Sequence, residues 1–160
     1  MSIKLKLALP IALLLFICLA MFGATWVITS SQEADALEIN LAGRQRMLSQ
    51  NITQKAFLSR SLHDAGMAED AAKTNKALRD LVAVFDATEQ ALMDSGNAPL
   101  TLDPNGPTIF LTGVNDEIRN AFRQTKPHWD TFLQDLASYE ETGTPQAAAS
   151  LSSSSVQLVS

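Results

Sequence analysis

From Leu7 to Ile28 the chain carries no charged residue and is apolar at nearly every position. As a helix that run is about 33 Å long, enough to cross a bilayer core of roughly 30 Å. Pro10 lies near its start, where a helix tolerates proline best, and Trp26 stands at the far end, where an interfacial aromatic belongs. A cleaved signal peptide is the competing reading, but the run exceeds a usual signal core and no Ala-x-Ala site closes it. Ile17 before Cys18 does not suit a lipoprotein signal. The pattern predicts an uncleaved transmembrane helix over 7–28.

Beyond it the apolar positions recur at helical spacing. Residues 32–65 hold no proline and a single glycine, Gly43, and predict one long helix. Its apolar seam is Leu37, Leu41, Leu48 and Ile52, with Arg44 falling between Leu41 and Leu48 on the same line. A second stripe of Ile39, Ala42, Arg46, Ser49, Thr53 and Ala56 is mostly small, which permits close approach of another helix. Gly66 suits a C-terminal cap. A second helix is predicted from Ala68 to Asp94, with Ala71, Leu78, Leu81, Val82, Phe85 and Leu92 facing inward.

Residues 96–107 combine Gly96, Pro99 and Asp103-Pro104-Asn105-Gly106-Pro107, and read as a long loop. A third helix is predicted from about Asn115 to Tyr139, kinked or restarted at Pro127, with Ile118, Phe122, Trp129, Phe132, Leu133 and Leu136 inward. After the turn Glu141–Pro145, residues 146–160 begin a fourth helix, weakened by Ser152–Ser155, which read as a disordered or weakly helical end. The expected fold is therefore all-α: a transmembrane helix followed by an up-and-down bundle of the four-helix type, its last helix incomplete. The expected domains are 1–6, cytoplasmic; 7–28, transmembrane; and 29–160, an extracytoplasmic helical domain. With no second membrane run and no output or catalytic module, the chain is expected to be a truncated receptor that lacks its downstream signalling module.

Charge sharpens the topology. Lys4 and Lys6 are the only charged residues before residue 31, and both precede the apolar run. The positive-inside rule then puts the N-terminus in the cytoplasm and the bulk of the chain in the periplasm, as a single-pass protein of the inner membrane. Subtracting those two lysines from the 12 basic residues leaves ten against 17 acidic ones. Such an acidic body repels phosphate, so nucleic acid is not an expected partner. One cysteine excludes an intrachain disulfide and a cysteine-based zinc site, and His63 and His128 have no partners at metal spacing. No nucleophile, base and acid fall into a catalytic arrangement, no cofactor is expected, and the chain does not read as an enzyme.

The stretch from Ile39 to Gln50, Ile-Asn-Leu-Ala-Gly-Arg-Gln-Arg-Met-Leu-Ser-Gln, resembles the signature of the PilJ-type sensor domain, the N-terminal domain of type IV pilus methyl-accepting chemotaxis transducers. More loosely it is similar to the periplasmic P-box of NarX-type nitrate/nitrite sensor kinases. That motif shares an Ala-Gly-x-x-Arg-Met-x-Ser core, here Ala42-Gly43, Arg46-Met47 and Ser49. The family usually continues with a basic residue and methionine after the Ser-Gln pair, where this chain has Asn51-Ile52.

The resemblance implies a periplasmic bundle that pairs as a homodimer through its first helix and binds a small anion, nitrate or nitrite, across the dimer axis. Carried over by position, Arg46 is the principal ligand. Gly43 lets a backbone approach, and Arg44, Met47 and Ser49 line or support the site. The planar guanidinium fork matches a planar anion, and an anion between two Arg46 side chains would relieve their repulsion. It would thereby favour one helix pairing over another. The expected function is ligand sensing for a chemoreceptor or sensor kinase. The alternative is a non-catalytic interaction module for a pilus component or receptor, with no small ligand.

Overall fold

The computed structural model describes residues 3–111 and 116–158, and within them not the side chains of 3–12, 30–38, 42, 117 and 118. In order the chain forms α1 (Ile3–Asp64), α2 (Ala68–Asp94), β1 (Gly96–Pro99), β2 (Thr108–Leu111), α3 (Asp116–Thr142) and α4 (Pro145–Gln157). It divides into two units, Met1–Ile39 and Asn40–Ser160.

The first unit is the N-terminal part of α1. From Leu13 to Ile28 its large apolar side chains are all exposed, Phe22 at 74% and Trp26 at 72%. Among the described residues no helix is long and apolar enough to cross a membrane. The transmembrane segment expected over 7–28 is therefore not carried by this structure, and the side chains of its residues 7–12 lie outside the described ones.

The second unit is built on helices that bury one stripe each. Leu48, Ile52 and Ala56 of α1 meet Leu78, Leu81, Val84 and Phe85 of α2, and Trp129, Phe132, Leu136 and Tyr139 of α3 close over them. Ala147 and Leu151 of α4 complete this core. The expected inward positions Leu41, Leu78, Phe85, Leu92, Phe122 and Leu136 are buried, Val82 and Leu133 partly so; Leu37 and Ile118 lie outside the described side chains. Trp129 stacks on Phe85 with ring centroids 3.6 Å apart, and its indole Nε1 donates to Asp86 at 2.7 Å. The buried ring thus keeps its one polar group satisfied. Gln45 reaches the Phe85 carbonyl and Ser59 the Ala71 carbonyl, so α1 and α2 run antiparallel.

The α1–α2 turn follows from Gly66, whose φ of 77° is costly for any residue with a Cβ. Met67 N–H bonds the Leu62 carbonyl and Gly66 N–H the His63 carbonyl, the Schellman pattern that satisfies the last carbonyls of α1. At the α3–α4 turn Gly143 adopts φ 59°, and the Arg60 guanidinium occupies the space a Cβ would need. Thr144 caps α4 by accepting the Ala147 N–H, with Pro145 in the first turn.

Three expectations are corrected. The stretch after α2 is not a plain loop, and the fold is not all-α. Gly96–Pro99 pairs antiparallel with Thr108–Leu111 in the register Gly96↔Leu111 to Pro99↔Thr108. The connection closes through an Asp103 carboxylate that accepts the Asn105 N–H, and through the Gly106 N–H to the Asp103 carbonyl. Second, of the kink or restart expected at Pro127, the restart is absent: the helix continues through it to Thr142. Third, Ser152–Ser155 are helical. Ser154 and Ser155 are buried, and Thr53 Oγ1 of α1 lies 3.0 Å from Ser155 Oγ. Serine's poor helix propensity is overridden because its small side chain lets α4 close on α1.

Candidate functional site

The stretch from Leu41 to Gln50 sorts its residues onto distinct faces of α1. Leu41, Gln45, Leu48 and Ser49 are buried; Gly43, Arg46, Met47 and Gln50 are exposed; Arg44 is half-buried between them. The 3.6-residue period accounts for this split. It also separates the two arginines, which stand two positions apart in the chain.

Arg44 is taken up by the fold. Its Nη2 donates to Thr88 Oγ1 at 3.1 Å and to the Pro99 carbonyl at 2.5 Å. Thr88 Oγ1 in turn donates to the Val84 carbonyl at 2.7 Å. One guanidinium thus ties α1 to α2 and to the hairpin. Burial lowers its pKa from the ordinary arginine value, and its Nε has no partner among the described residues.

Arg46 is the opposite case. Its side chain is exposed, and among the described residues no hydrogen bond or ion pair engages its guanidinium. Gly43, one turn earlier, is equally open: a Cβ added there meets nothing within 4 Å. Met47 is 43% exposed. Ser49 faces inward, fully buried, and its Oγ donates to the Arg46 carbonyl at 2.9 Å. Of the sequence-derived site residues, the structure brings Gly43, Arg46 and Met47 to one open face. Ser49 stays beneath it as backbone support, and Arg44 turns toward α2.

Beside Arg46 lies a half-open cleft of about 250 Å³, lined by Gln45 and Arg46 of α1, Phe85 of α2, Ala121, Phe122 and Thr125 of α3, and Leu158 after α4. Gln45 is 5% exposed. Its amide nitrogen donates to the Phe85 carbonyl at 2.9 Å, while its Oε1 is buried with no partner among the described residues.

One buried charge escaped sequence reasoning. Glu89 of α2 is 2% exposed, with Oε2 3.6 Å from Lys126 Nζ and Oε1 without a partner among the described residues. Burial pushes its pKa up to about 7, opposed by Lys126 and reinforced by Asp86 and Asp130. Its position between Phe85 and Leu92 on the α2 seam was the signal available in the sequence. Among the described residues no group of histidine, cysteine and carboxylate side chains is arranged to hold a metal.

No curated protein and no solved structure matches the chain. A family model described as the type IV pili methyl-accepting chemotaxis transducer N-term, PilJ, matches residues 27–155. That span takes in the Ile39–Gln50 stretch, the helices around it and the hairpin. The chain belongs to the PilJ family of chemotaxis transducer N-terminal domains.

Proposed function

We propose that this chain is the ligand-sensing domain of a chemotaxis transducer, reading a small anion through Arg46. The family is sensory and non-catalytic, which fits a site made of one cation and no reacting groups. The observation that carries the reading is the contrast between the arginines: Arg44 is bonded into the fold, and Arg46 is an exposed guanidinium that no side chain engages among the described residues. Nitrate or nitrite is the first ligand, because a planar oxyanion can accept two parallel guanidinium bonds.

In this reading two copies pair through the open face of Gly43, Arg46 and Met47. The missing side chain at Gly43 leaves room for a neighbouring helix, and an anion offsets the repulsion of two Arg46 groups. The N-terminal run is the membrane anchor, with the sensing domain periplasmic. Its support is the absence of charge from Leu7 to Ile28 and the exposure of the large apolar side chains from Leu13 to Ile28.

Titration calorimetry of the detergent-solubilised chain with nitrate tests the site. Arg46→Ala is expected to abolish binding while leaving the helical circular dichroism unchanged. Equal binding by the variant would remove Arg46 from the site. A protein-interaction module without a small ligand is favoured by one observation: Leu100, Leu102 and Phe110 of the hairpin are exposed at 45%, 44% and 61%.

A further inference from the structure

The bare anion leaves the cleft beside Arg46 unused. Its walls are mainly apolar, with Phe85, Ala121, Phe122 and Leu158 meeting across α2, α3 and the end of α4. At about 250 Å³ it falls just under the usual range for drug-sized ligands and suits a small metabolite. Arg46 lines the same cleft and supplies an unpaired cation, so a ligand with an apolar body there meets its charge complement without any rearrangement of the backbone.

The wall beneath is already committed. Gln45 holds α2 through the Phe85 carbonyl and Phe85 stacks on Trp129, so the cleft's inner surface is fixed by the core rather than by mobile side chains. Gln45 Oε1 is an acceptor left without a donor among the described residues, which a hydroxyl or amino group on a ligand could satisfy.

Resting on the anion-sensing reading, we infer that the cleft is a second subsite, and that the chain takes a small organic carboxylate whose head pairs with Arg46 and whose apolar body fills the cleft between Phe85 and Phe122. Nitrate then occupies only the head position. Burying an apolar body adds affinity that a bare anion cannot gain.

The test compares sodium nitrate with sodium 3-phenylpropionate by calorimetry on the detergent-solubilised 160-residue chain. Three proteins are needed: the natural chain, Arg46→Ala, and Ala121→Trp. Ala121 is exposed, so tryptophan there blocks the cleft from its rim without entering the core. The natural chain is expected to bind phenylpropionate at least about tenfold more tightly than nitrate. Ala121→Trp is expected to lose that advantage and keep nitrate binding, and Arg46→Ala to lose both. Phenylpropionate no tighter than nitrate, or unaffected by Ala121→Trp, overturns the subsite and leaves the nitrate reading standing. Failure of both probes on the natural chain overturns the anion-sensing reading and the subsite with it.

Discussion

Glu89 Oε2 lies 3.6 Å from the Lys126 ammonium, which at the same time holds Asp130 at 2.7 Å. A single cation is shared between a carboxylate inside the bundle and one in solvent, and the exposed partner holds it more closely. Glu89 is therefore only partly compensated, and burial raises its pKa from 4.5 to about 7. The sign follows from the folded value lying above the unfolded one. The contribution is fully present below about pH 4.5 and is lost as pH rises through about 7. The unfolding free energy is expected to decrease from pH 5 to pH 8, by at most about 1.4 kcal/mol per pH unit, and thermal midpoints with it. Glu89→Gln is expected to flatten that slope, as scanning calorimetry across the range would show.

Arg44 joins α1, α2 and the hairpin through one guanidinium. Arg44→Ala leaves Thr88 its bond to the Val84 carbonyl but strips Pro99 of its donor. The expected cost is about 1–3 kcal/mol. Urea denaturation measures it, and hydrogen exchange should locate the loosening in Gly96–Leu111. Anion binding at Arg46 is expected to persist, which separates a structural arginine from a ligating one.

Two glycines should respond in opposite directions. Gly143 has φ 59° and the Arg60 guanidinium against it, so Gly143→Ala is expected to destabilise by about 1–2 kcal/mol. Gly43 is helical with nothing within 4 Å of an added Cβ. Gly43→Ala is expected to stabilise a single chain by about 1 kcal/mol. Thermal melts of both variants decide the point. Sedimentation of Gly43→Ala adds a second reading, because a helix pairing that uses the missing side chain should weaken.

Trp129 fills the centre of the core, stacked on Phe85 and bonded to Asp86. Trp129→Ala is expected to cost about 3–5 kcal/mol, and Trp129→Phe much less, since it keeps the stack and loses chiefly the indole bond. The free energy of unfolding in urea distinguishes the two.

Where periodicity governs, the chain was readable before folding. The apolar spacing of α2 gave its bounds, Ala68–Asp94, and Gly66 marked the turn before it. The hairpin was not readable, because Gly96-Asn97-Ala98-Pro99 has neither alternation nor β-branched residues. It is held instead by the Asp103 turn and by Arg44, a partner 55 positions away. Ser152–Ser155 misled for a related reason: their composition argues against a helix, and packing of Ser155 against Thr53 decides for one. At the site, the seam placed Arg44 between Leu41 and Leu48, and its half-buried position follows from that spacing. The cleft beside Arg46 depends on Ala121, Phe122 and Leu158, distant residues that no local pattern joins to the motif.

The contact between Thr53 and Ser155 spans 102 positions. It also sets an order of assembly. The α1–α2 and α2–α3 pairs can form from nearer neighbours, whereas α4 meets α1 across 102 positions, a contact whose direct closure carries an entropic cost that grows with the logarithm of that length. During synthesis the face of α1 that carries Thr53 therefore waits uncovered until Ser155 has left the ribosome. The small-residue stripe of the motif helix is closed last, by the 13-residue α4.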